Sequence, residues 1–228
     1  MKRIVLNIPH SSNKGIENAG WEDFSAISEK INKWTDWHTD VIFNPNPRLN
    51  DSISIVKSEL SRFVVDVERL VVDPLEKIGQ GIVYTNFEGI NRVITEERKN
   101  ELICYYEDYI NRLKNELDCD TMLIDCHSFP SDLCQDVDIC IGYNEDWSKP
   151  SDDFISGAIQ YFKDRGYKVG VNTPYSNSIS PKCDCEYKSL MIEVNKRLYL
   201  KSDGVTLRAD AYKIANLING FYEYVKTN

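Results

Sequence analysis

Short apolar runs alternate with longer segments of helical periodicity along the whole chain. Seven of these runs predict β-strands, and several are continuously apolar, as in strands that are covered on both faces. The predicted strands are Arg3 to Ile8, Ser52 to Val56, Phe63 to Val67, Thr121 to Asp125, Val137 to Ile141, Tyr167 to Val171 and Ser189 to Val194. Strands that alternate with helices are typical of the α/β class.

Three segments carry apolar residues at the spacing of a helix face. One helix is predicted from a cap at Thr95 to about Glu116. A second is predicted to open at Ser151 and to stop at Gly166, and a third begins near Thr206. Their apolar stripes predict packing against the sheet and indicate no function.

The chain contains no internal repeat, low-complexity tract or long linker. We therefore predict one α/β domain over residues 1–228, with three layers and a mostly parallel mixed central sheet. A net charge of -9 argues against nucleic acid or an anionic membrane as partner. No apolar stretch reaches the roughly 20 residues of a spanning helix, and the N-terminal run is too short for a signal peptide, so we predict a cytoplasmic protein.

The positions of the histidines give the first indication of chemistry. His10 follows the first predicted strand, and His127 ends the apolar run that begins at Thr121. Ligands of open α/β sheets bind at the carboxyl ends of the strands. A single histidine there is most simply a hydrogen-bonded structural residue. Two of them, with an aspartate-rich segment around His38 between them, match the two histidines and one carboxylate that commonly hold a catalytic zinc ion.

Glu193 is a carboxylate within an otherwise apolar predicted strand. Burial of a charge is costly unless the group is paired or faces a polar cleft. One interpretation is a buried pair with Lys196 or Arg197. The other is a general base beside a metal-activated water molecule.

Two arginines, Arg62 and Arg69, flank the apolar run Phe63 to Val67. Arginine is the preferred bidentate partner of a carboxylate, so both are candidates for substrate binding. Either is equally able to pair with one of the neighbouring acids.

Six segments, taken together and in order from residue 8 to residue 199, resemble the N-formylglutamate amidohydrolase family, which is related in fold to the zinc carboxypeptidases. They are Ile8-Pro9-His10-Ser11, Thr35-Asp36-Trp37-His38-Thr39-Asp40, Arg62-Phe63-Val64-Val65-Asp66-Val67-Glu68-Arg69, Asp125-Cys126-His127-Ser128, Asn172-Thr173-Pro174-Tyr175 and Ile192-Glu193-Val194-Asn195-Lys196-Arg197-Leu198-Tyr199. Each segment is weak alone, and the ordered set is fairly specific.

The resemblance implies a fold like that of the zinc exopeptidases and one Zn²⁺ per chain. It implies His10, Asp36 and His127 as zinc ligands and Glu193 as the base that activates water. His38 and Asp40 lie beside Asp36 and are the alternative third ligands.

The resemblance also implies a substrate side formed by Arg69, Asn172 and Tyr175, with Arg69 as the anchor for a carboxylate. The family pattern Asp-x-Asn-Arg reads Asp66-Val67-Glu68-Arg69 in this chain, and a family histidine is replaced by Ile110. These departures predict poor activity on N-formyl-glutamate and better activity on substrates with a less acidic side chain.

The function implied is a metal-dependent amidohydrolase that cleaves an N-acylated amino acid, with N-formyl-glutamate as the reference substrate. Two alternatives stay open at this point. One is a zinc peptidase or deacylase that acts on a larger peptide or cell-wall-like substrate. The other is a non-catalytic binding domain of the same fold.

Overall fold

Eight β-strands are present in the computed structural model of the protein, which describes residues 3–228. Six form one sheet, and the two shortest form a separate hairpin. The strands are β1 (Arg3–Ile8), β2 (Ile53–Lys57), β3 (Asn86–Phe87), β4 (Ile90–Asn91), β5 (Thr121–Phe129), β6 (Ile139–Gly142), β7 (Val169–Val171) and β8 (Lys188–Asn195).

The main sheet has the strand order β2-β1-β5-β8-β6-β7. Strands β2, β1, β5 and β8 are parallel to one another, whereas β6 is antiparallel to β8 and parallel to β7. The predicted α/β class with a mostly parallel mixed sheet is therefore confirmed. The register places His127 of β5 opposite Glu193 of β8.

Within residues 3–228, five α-helices accompany the sheet. They are α1 (Phe24–Trp34), α2 (Thr39–Ile42), α3 (Glu96–Asn115), α4 (Asp152–Lys163) and α5 (Tyr212–Thr227). The predicted caps are confirmed, because the side chain of Thr95 accepts a hydrogen bond from the Arg98 N–H and that of Ser151 accepts one from the Phe154 N–H. No helix within residues 3–228 is long and apolar enough to cross a membrane.

Two apolar clusters cover the two faces of the sheet. Side chains alternate between the faces along β1, so Ile4, Leu6 and Ile8 pack on one side and Val5 packs on the other. The first cluster contains α2, α4 and α5, and the second contains α1 and α3. This arrangement confirms the predicted three layers.

The strand predicted at Phe63 to Val67 is wrong. Residues 62–69 instead form successive turns, in which the N–H groups of Val64 and Val65 both bond to the Ser61 carbonyl. The apolar residues of this segment are fully buried in the second cluster. The run is apolar because it is buried. An apolar run that lacks the hydrophobic periodicity of a strand or helix does not distinguish a buried turn from a buried strand.

Two helix boundaries also differ from the expectation. Helix α5 begins at Tyr212 rather than near Thr206, because Leu207 bridges to Leu200 in extended structure. Helix α1 was not predicted, although Asp23 caps it and Ile27 and Ile31 form its buried stripe. Strand β5 continues four residues beyond the predicted end, so that His127 lies within the strand rather than at its end.

Candidate active site

His10 and His127 face each other beside the carboxyl ends of two neighbouring strands. His10 follows β1 by two residues, and β1 pairs with β5. The two imidazole rings are 5.3 Å apart between centroids, and both side chains are buried. The strand order thus brings together two histidines that are 117 positions apart in the sequence.

Asp36 completes a cluster with the two histidines. Its Oδ2 atom lies 3.1 Å from His127 Nδ1 and 3.8 Å from His10 Nδ1. One ligand atom from each residue fits within a 4.8 Å limit for all pairs. The backbone N–H of Asp36 bonds to the His10 carbonyl, and Lys196 Nζ donates to the carbonyl of Thr35, so the position of Asp36 is fixed from two sides.

The other two candidates for the third ligand lie elsewhere. His38 Nε2 is 3.0 Å from the Val205 carbonyl oxygen, and Asp40 forms a salt bridge with Lys57 at 3.2 Å. His38 also takes a left-handed backbone conformation, with φ of 61°, at the start of α2. Of the three alternatives, only Asp36 stands with His10 and His127.

Each histidine of the cluster contacts a carboxylate through its other ring nitrogen. His10 Nε2 is 2.8 Å from Asp66 Oδ1, and His127 Nε2 is 3.0 Å from Asp125 Oδ1. A carboxylate at Nε2 fixes the tautomer that carries the proton there and leaves Nδ1 as an acceptor. His10 Nδ1 is then free to bind a cation, and His127 Nδ1, 3.1 Å from Asp36 Oδ2, would bind one in exchange for its proton.

Two further observations fit a cation at this place. His10 Nδ1 is buried and has no hydrogen-bond partner among the described residues. Burial, assisted by the positive charge of Arg62, lowers the pKa of His10 to about 4. His10 is therefore neutral at pH 7, as a metal-binding imidazole must be.

The surroundings of His127 attract positive charge. Burial alone would lower its pKa, but the carboxylates of Glu68 and Asp125 outweigh that effect and raise the pKa well above the usual value. The pKa values of the two histidines thus move in opposite directions, because burial dominates at His10 whereas the carboxylates beside His127 outweigh it. A buried site that stabilises a proton in this way also suits a divalent cation.

Glu193 is directly beside the histidine cluster. It pairs with His127 across β5 and β8 and is 6% exposed. Among the described residues it forms no salt bridge, and its Oε2 atom has no hydrogen-bond partner. The alternative of a pair with Lys196 or Arg197 is not found, since Lys196 Nζ donates to backbone carbonyls and Arg197 binds Asp138. Burial raises the pKa of Glu193 to about 8, a value suited to a base near neutral pH.

Asp66 is a buried acceptor for several groups of the site. Besides His10, its carboxylate accepts hydrogen bonds from Arg62 Nη2 at 3.1 Å and from the Tyr84 hydroxyl, and it lies 3.3 Å from Arg69 Nε. Burial opposes ionisation, but Arg62 and His10 prevail and hold the pKa of Asp66 well below its usual range. Asp66 therefore positions one histidine and two arginines together.

Both arginines line the cavity in front of the histidines. Their side chains are 19% and 20% exposed, so each combines a buried contact to Asp66 with an accessible edge. Arg69 is the more strongly engaged, because its Nη2 atom also donates to the Tyr84 hydroxyl.

Glu68 points into the site. Its Oε1 atom is 2.8 Å from His127 Nε2, and its Oε2 atom is 3.5 Å from His10 Nδ1. Burial, and then the neighbouring charge of Asp125, raises the pKa of Glu68 to about 8. Glu68, Asp125 and His127 form a second group whose spacing would suit a metal ion. In this group, however, His127 Nε2 lies within hydrogen-bond distance of both carboxylates.

The other two predicted substrate residues differ in placement. Tyr175 lines the cavity, and burial raises the pKa of its hydroxyl to about 12. Asn172 is not among the lining residues; its Oδ1 atom accepts a hydrogen bond from the Tyr143 N–H, and its backbone is left-handed with φ of 50°. Asparagine tolerates that conformation better than most residues, which accounts for its identity here.

A cavity of about 1120 Å³ opens onto the cluster. Its inner wall contains the two histidines, Asp36 and Glu193, and its outer part extends between α3 and the segments 69–80 and 175–182. The site is therefore the inner end of a long cleft.

A buried chain of hydrogen bonds that the sequence did not reveal supports His127. The Tyr109 hydroxyl donates to Asn7 Oδ1 at 2.6 Å, and Asn7 Nδ2 donates to Asp125 Oδ1 at 2.8 Å. The contact between Asp125 and His127 could have been predicted from the sequence. The two residues are two positions apart on one strand, and such residues lie on the same face of the sheet. The contribution of Tyr109 depends on how α3 packs and has no such signal.

Comparison with known proteins decides the family. The sequence model of the N-formylglutamate amidohydrolase family matches residues 2–200. The chain belongs to this family of hydrolases. A search of curated protein sequences finds no significant match.

Solved structures support the same fold. The crystal structure of N-formylglutamate amidohydrolase from Ralstonia eutropha JMP134 superimposes with a TM-score of 0.76 at 18% identity, over 99% of this chain and 94% of that one. A gene product of Agrobacterium tumefaciens gives a TM-score of 0.65 at 15% identity, over 98% of this chain and 90% of that one. Both comparisons extend over nearly the full length of this family member.

Proposed function

We propose that this family member is a zinc-dependent amidohydrolase that cleaves the amide bond of an N-acylated amino acid. The observation that carries the proposal is the convergence of His10, Asp36 and His127, which offer one ligand atom each within 4.8 Å of one another, beside the unpaired carboxylate of Glu193. Two histidines and one carboxylate are a common ligand set for catalytic zinc. The bound ion would supply Lewis-acid chemistry, which polarises a carbonyl oxygen and lowers the pKa of a water molecule.

The residues of the chain have separate tasks in this reaction. Glu193 takes a proton from the attacking water, and the resulting hydroxyl adds to the carbonyl carbon of the acyl group. The C–N bond then breaks, and Glu193 returns the proton to the leaving amine nitrogen. The products are a carboxylate and a free amino acid. A buried carboxylate with no salt-bridge partner among the described residues is available for both proton transfers.

The arginines support an amino acid as the leaving group. Arg62 and Arg69 present accessible edges to the cavity while Asp66 holds both from behind. A substrate carboxylate at this place would form charge-assisted hydrogen bonds, which are among the stronger polar contacts. Tyr175 lines the same cavity and is the accompanying donor.

Metal content is the first test. Protein purified without chelator should contain about one zinc ion per chain, and His127→Ala should lose most of it. His38→Ala is the matched control, because His38 lies outside the cluster, and it should retain the metal. Full retention of zinc in His127→Ala would contradict the ligand assignment.

The role of Glu193 is the second test. Glu193→Gln keeps the shape of the side chain and removes the base, so kcat should fall by about 10²–10⁴-fold while zinc stays bound. An unchanged kcat would refute the assignment, and a loss of zinc would make Glu193 a ligand.

One observation favours a second candidate, a peptidase or deacylase for larger substrates. The cavity of about 1120 Å³ exceeds the roughly 300–1,000 Å³ of a typical ligand site. Comparison of N-acyl amino acids with N-acyl dipeptides separates the two, because only the second candidate requires faster cleavage of the longer substrates.

A further inference from the structure

The segment after Arg69 exposes an unusual amount of apolar surface. Leu70, Val71 and Val72 are 64%, 77% and 87% exposed, and Ile78 is 56% exposed. Single exposed apolar residues are common on protein surfaces, whereas several on one short segment at the mouth of a cleft indicate a binding surface. Two of them, Leu70 and Val71, line the cavity together with Leu75 of the same segment.

The segment has a defined conformation. The Tyr106 hydroxyl donates to the Arg69 carbonyl at 2.9 Å, and the Asp73 carboxylate accepts from the Leu75 N–H. At its far end, the Thr85 N–H bonds to the Gly79 carbonyl. The apolar side chains are therefore presented by an anchored loop.

The cavity has further apolar and aromatic surface. Ile110 and Tyr106 of α3 line it, as do Tyr84 and Phe87. Apolar and aromatic side chains thus form part of the wall that leads away from the histidines, beside charged residues such as Glu107, Lys114 and Lys182.

The groups beside the histidines offer little to a second acidic group on the substrate. Glu68 lies among the histidines with its carboxylate inside the cavity. The guanidinium of Arg69 is already shared between Asp66 and the Tyr84 hydroxyl. A substrate with one carboxylate is accommodated by the accessible edges of the arginines, whereas a second carboxylate near the histidines would lie against the acidic side chain of Glu68.

We propose that the side chain of the amino-acid part of the substrate is apolar and binds against Leu70, Val71 and Leu75. This inference rests on the proposed function and names the substrate class of the same site: N-acylated amino acids with an aliphatic or aromatic side chain. A segment that is apolar, anchored and continuous with Arg69 fits that occupant.

The test compares three substrates with the zinc-loaded enzyme: N-formyl-leucine, N-formyl-alanine and N-formyl-glutamate. Because each methylene in an apolar pocket changes kcat/KM by roughly 10-fold or more, the leucine derivative should exceed the alanine derivative by at least about 10-fold. The glutamate derivative should be the poorest of the three.

Two variants of adjacent residues provide the matched control. Val71→Ser changes a residue that lines the cavity, and it should reduce the ratio of leucine to alanine kcat/KM by several-fold. Val72→Ser changes an equally exposed valine of the same segment that is not a lining residue, and it should leave the ratio as it is in the wild type. Since both valines are exposed, neither change should disturb folding, which thermal melts will check.

The outcomes separate this inference from the proposed function. If the zinc-loaded wild type hydrolyses the substrates with a leucine-to-alanine ratio near one, or if the two valine variants behave alike, the apolar subsite is refuted and the amidohydrolase stands. If the zinc-loaded wild type cleaves none of the three, the proposed function fails and the subsite fails with it.

Discussion

Replacement of Asp66 by asparagine should be among the most damaging isosteric changes in the molecule. The carboxylate is fully buried and interacts with His10, Arg62, Arg69 and Tyr84. Asparagine keeps the shape, but it removes the charge and turns a donor toward neighbours that are donors themselves. Loss of one partner from a buried ion pair costs about 3–5 kcal/mol, a large part of the roughly 5–15 kcal/mol that stabilises a typical domain.

Urea unfolding of Asp66→Asn in the presence of a chelator measures this effect without a contribution from metal. Glu59→Gln is the control, because its ion pair with Lys14 has a similar distance of 3.0 Å but is exposed. An exposed pair contributes about 0–1 kcal/mol. A loss below about 1 kcal/mol in Asp66→Asn, or equal losses in both variants, would refute the view that Asp66 holds the site together.

The same variant has an effect on metal binding. His10 Nε2 loses the carboxylate that fixes its tautomer, so zinc affinity should fall by about 10–100-fold. Titration with zinc in a competing chelator measures the affinity. An unchanged affinity would show that His10 is oriented by other contacts.

Two further predictions concern the buried polar groups around the cluster. Tyr109→Phe removes the hydroxyl that donates to Asn7, and it should lower the free energy of unfolding by about 0.5–1.5 kcal/mol in urea denaturation; an unchanged stability would show that the hydrogen-bond chain contributes nothing. In metal-free protein, the pKa of Glu193 is about 8 in the folded state and near 4.5 in the unfolded state, so the folded state binds the proton more tightly. The free energy of unfolding therefore decreases as the pH rises from 4.5 to 8. Metal-free Glu193→Gln should therefore melt at a higher temperature than the wild type at pH 8 and at the same temperature at pH 4, and a lower melting temperature at pH 8 would contradict a buried, unpaired carboxylate.

The sequence predicted elements where periodicity and caps agreed. Strand β1 has the predicted limits, and α3 and α4 begin after their predicted caps. The turns around Phe63 to Val67 were beyond prediction, since their apolar residues reflect burial and carry no period. Tertiary packing determines the conformation there.

The members of the site were easier to predict than their arrangement. His10 and His127 could be named from their places after predicted strands, whereas Asp36 was implied by the family resemblance, with His38 and Asp40 as alternatives. The approach of Glu193 to His127 depends on β8 lying next to β5, an order that no local pattern encodes. The inward direction of Glu68 depends on the turns after Ser61, which no local sequence pattern predicts.

The pairing of His127 with Glu193 across two central parallel strands has a consequence for how new specificities arise in this family. Neighbouring strands are held about 4.8 Å apart by main-chain hydrogen bonds, so the spacing of the proposed ligand His127 and the proposed base Glu193 is a property of the backbone. The segments 69–80 and 175–182, which form the outer cleft, lie outside the hydrogen-bonded strands of the sheet. Insertions, deletions or exchanges in these loops alter what enters the cleft and leave the reacting centre in place. The loops that determine substrate selectivity are thus structurally separate from the strands that carry the reacting groups. Exchange of these loops between relatives is therefore expected to alter the substrates that are accepted.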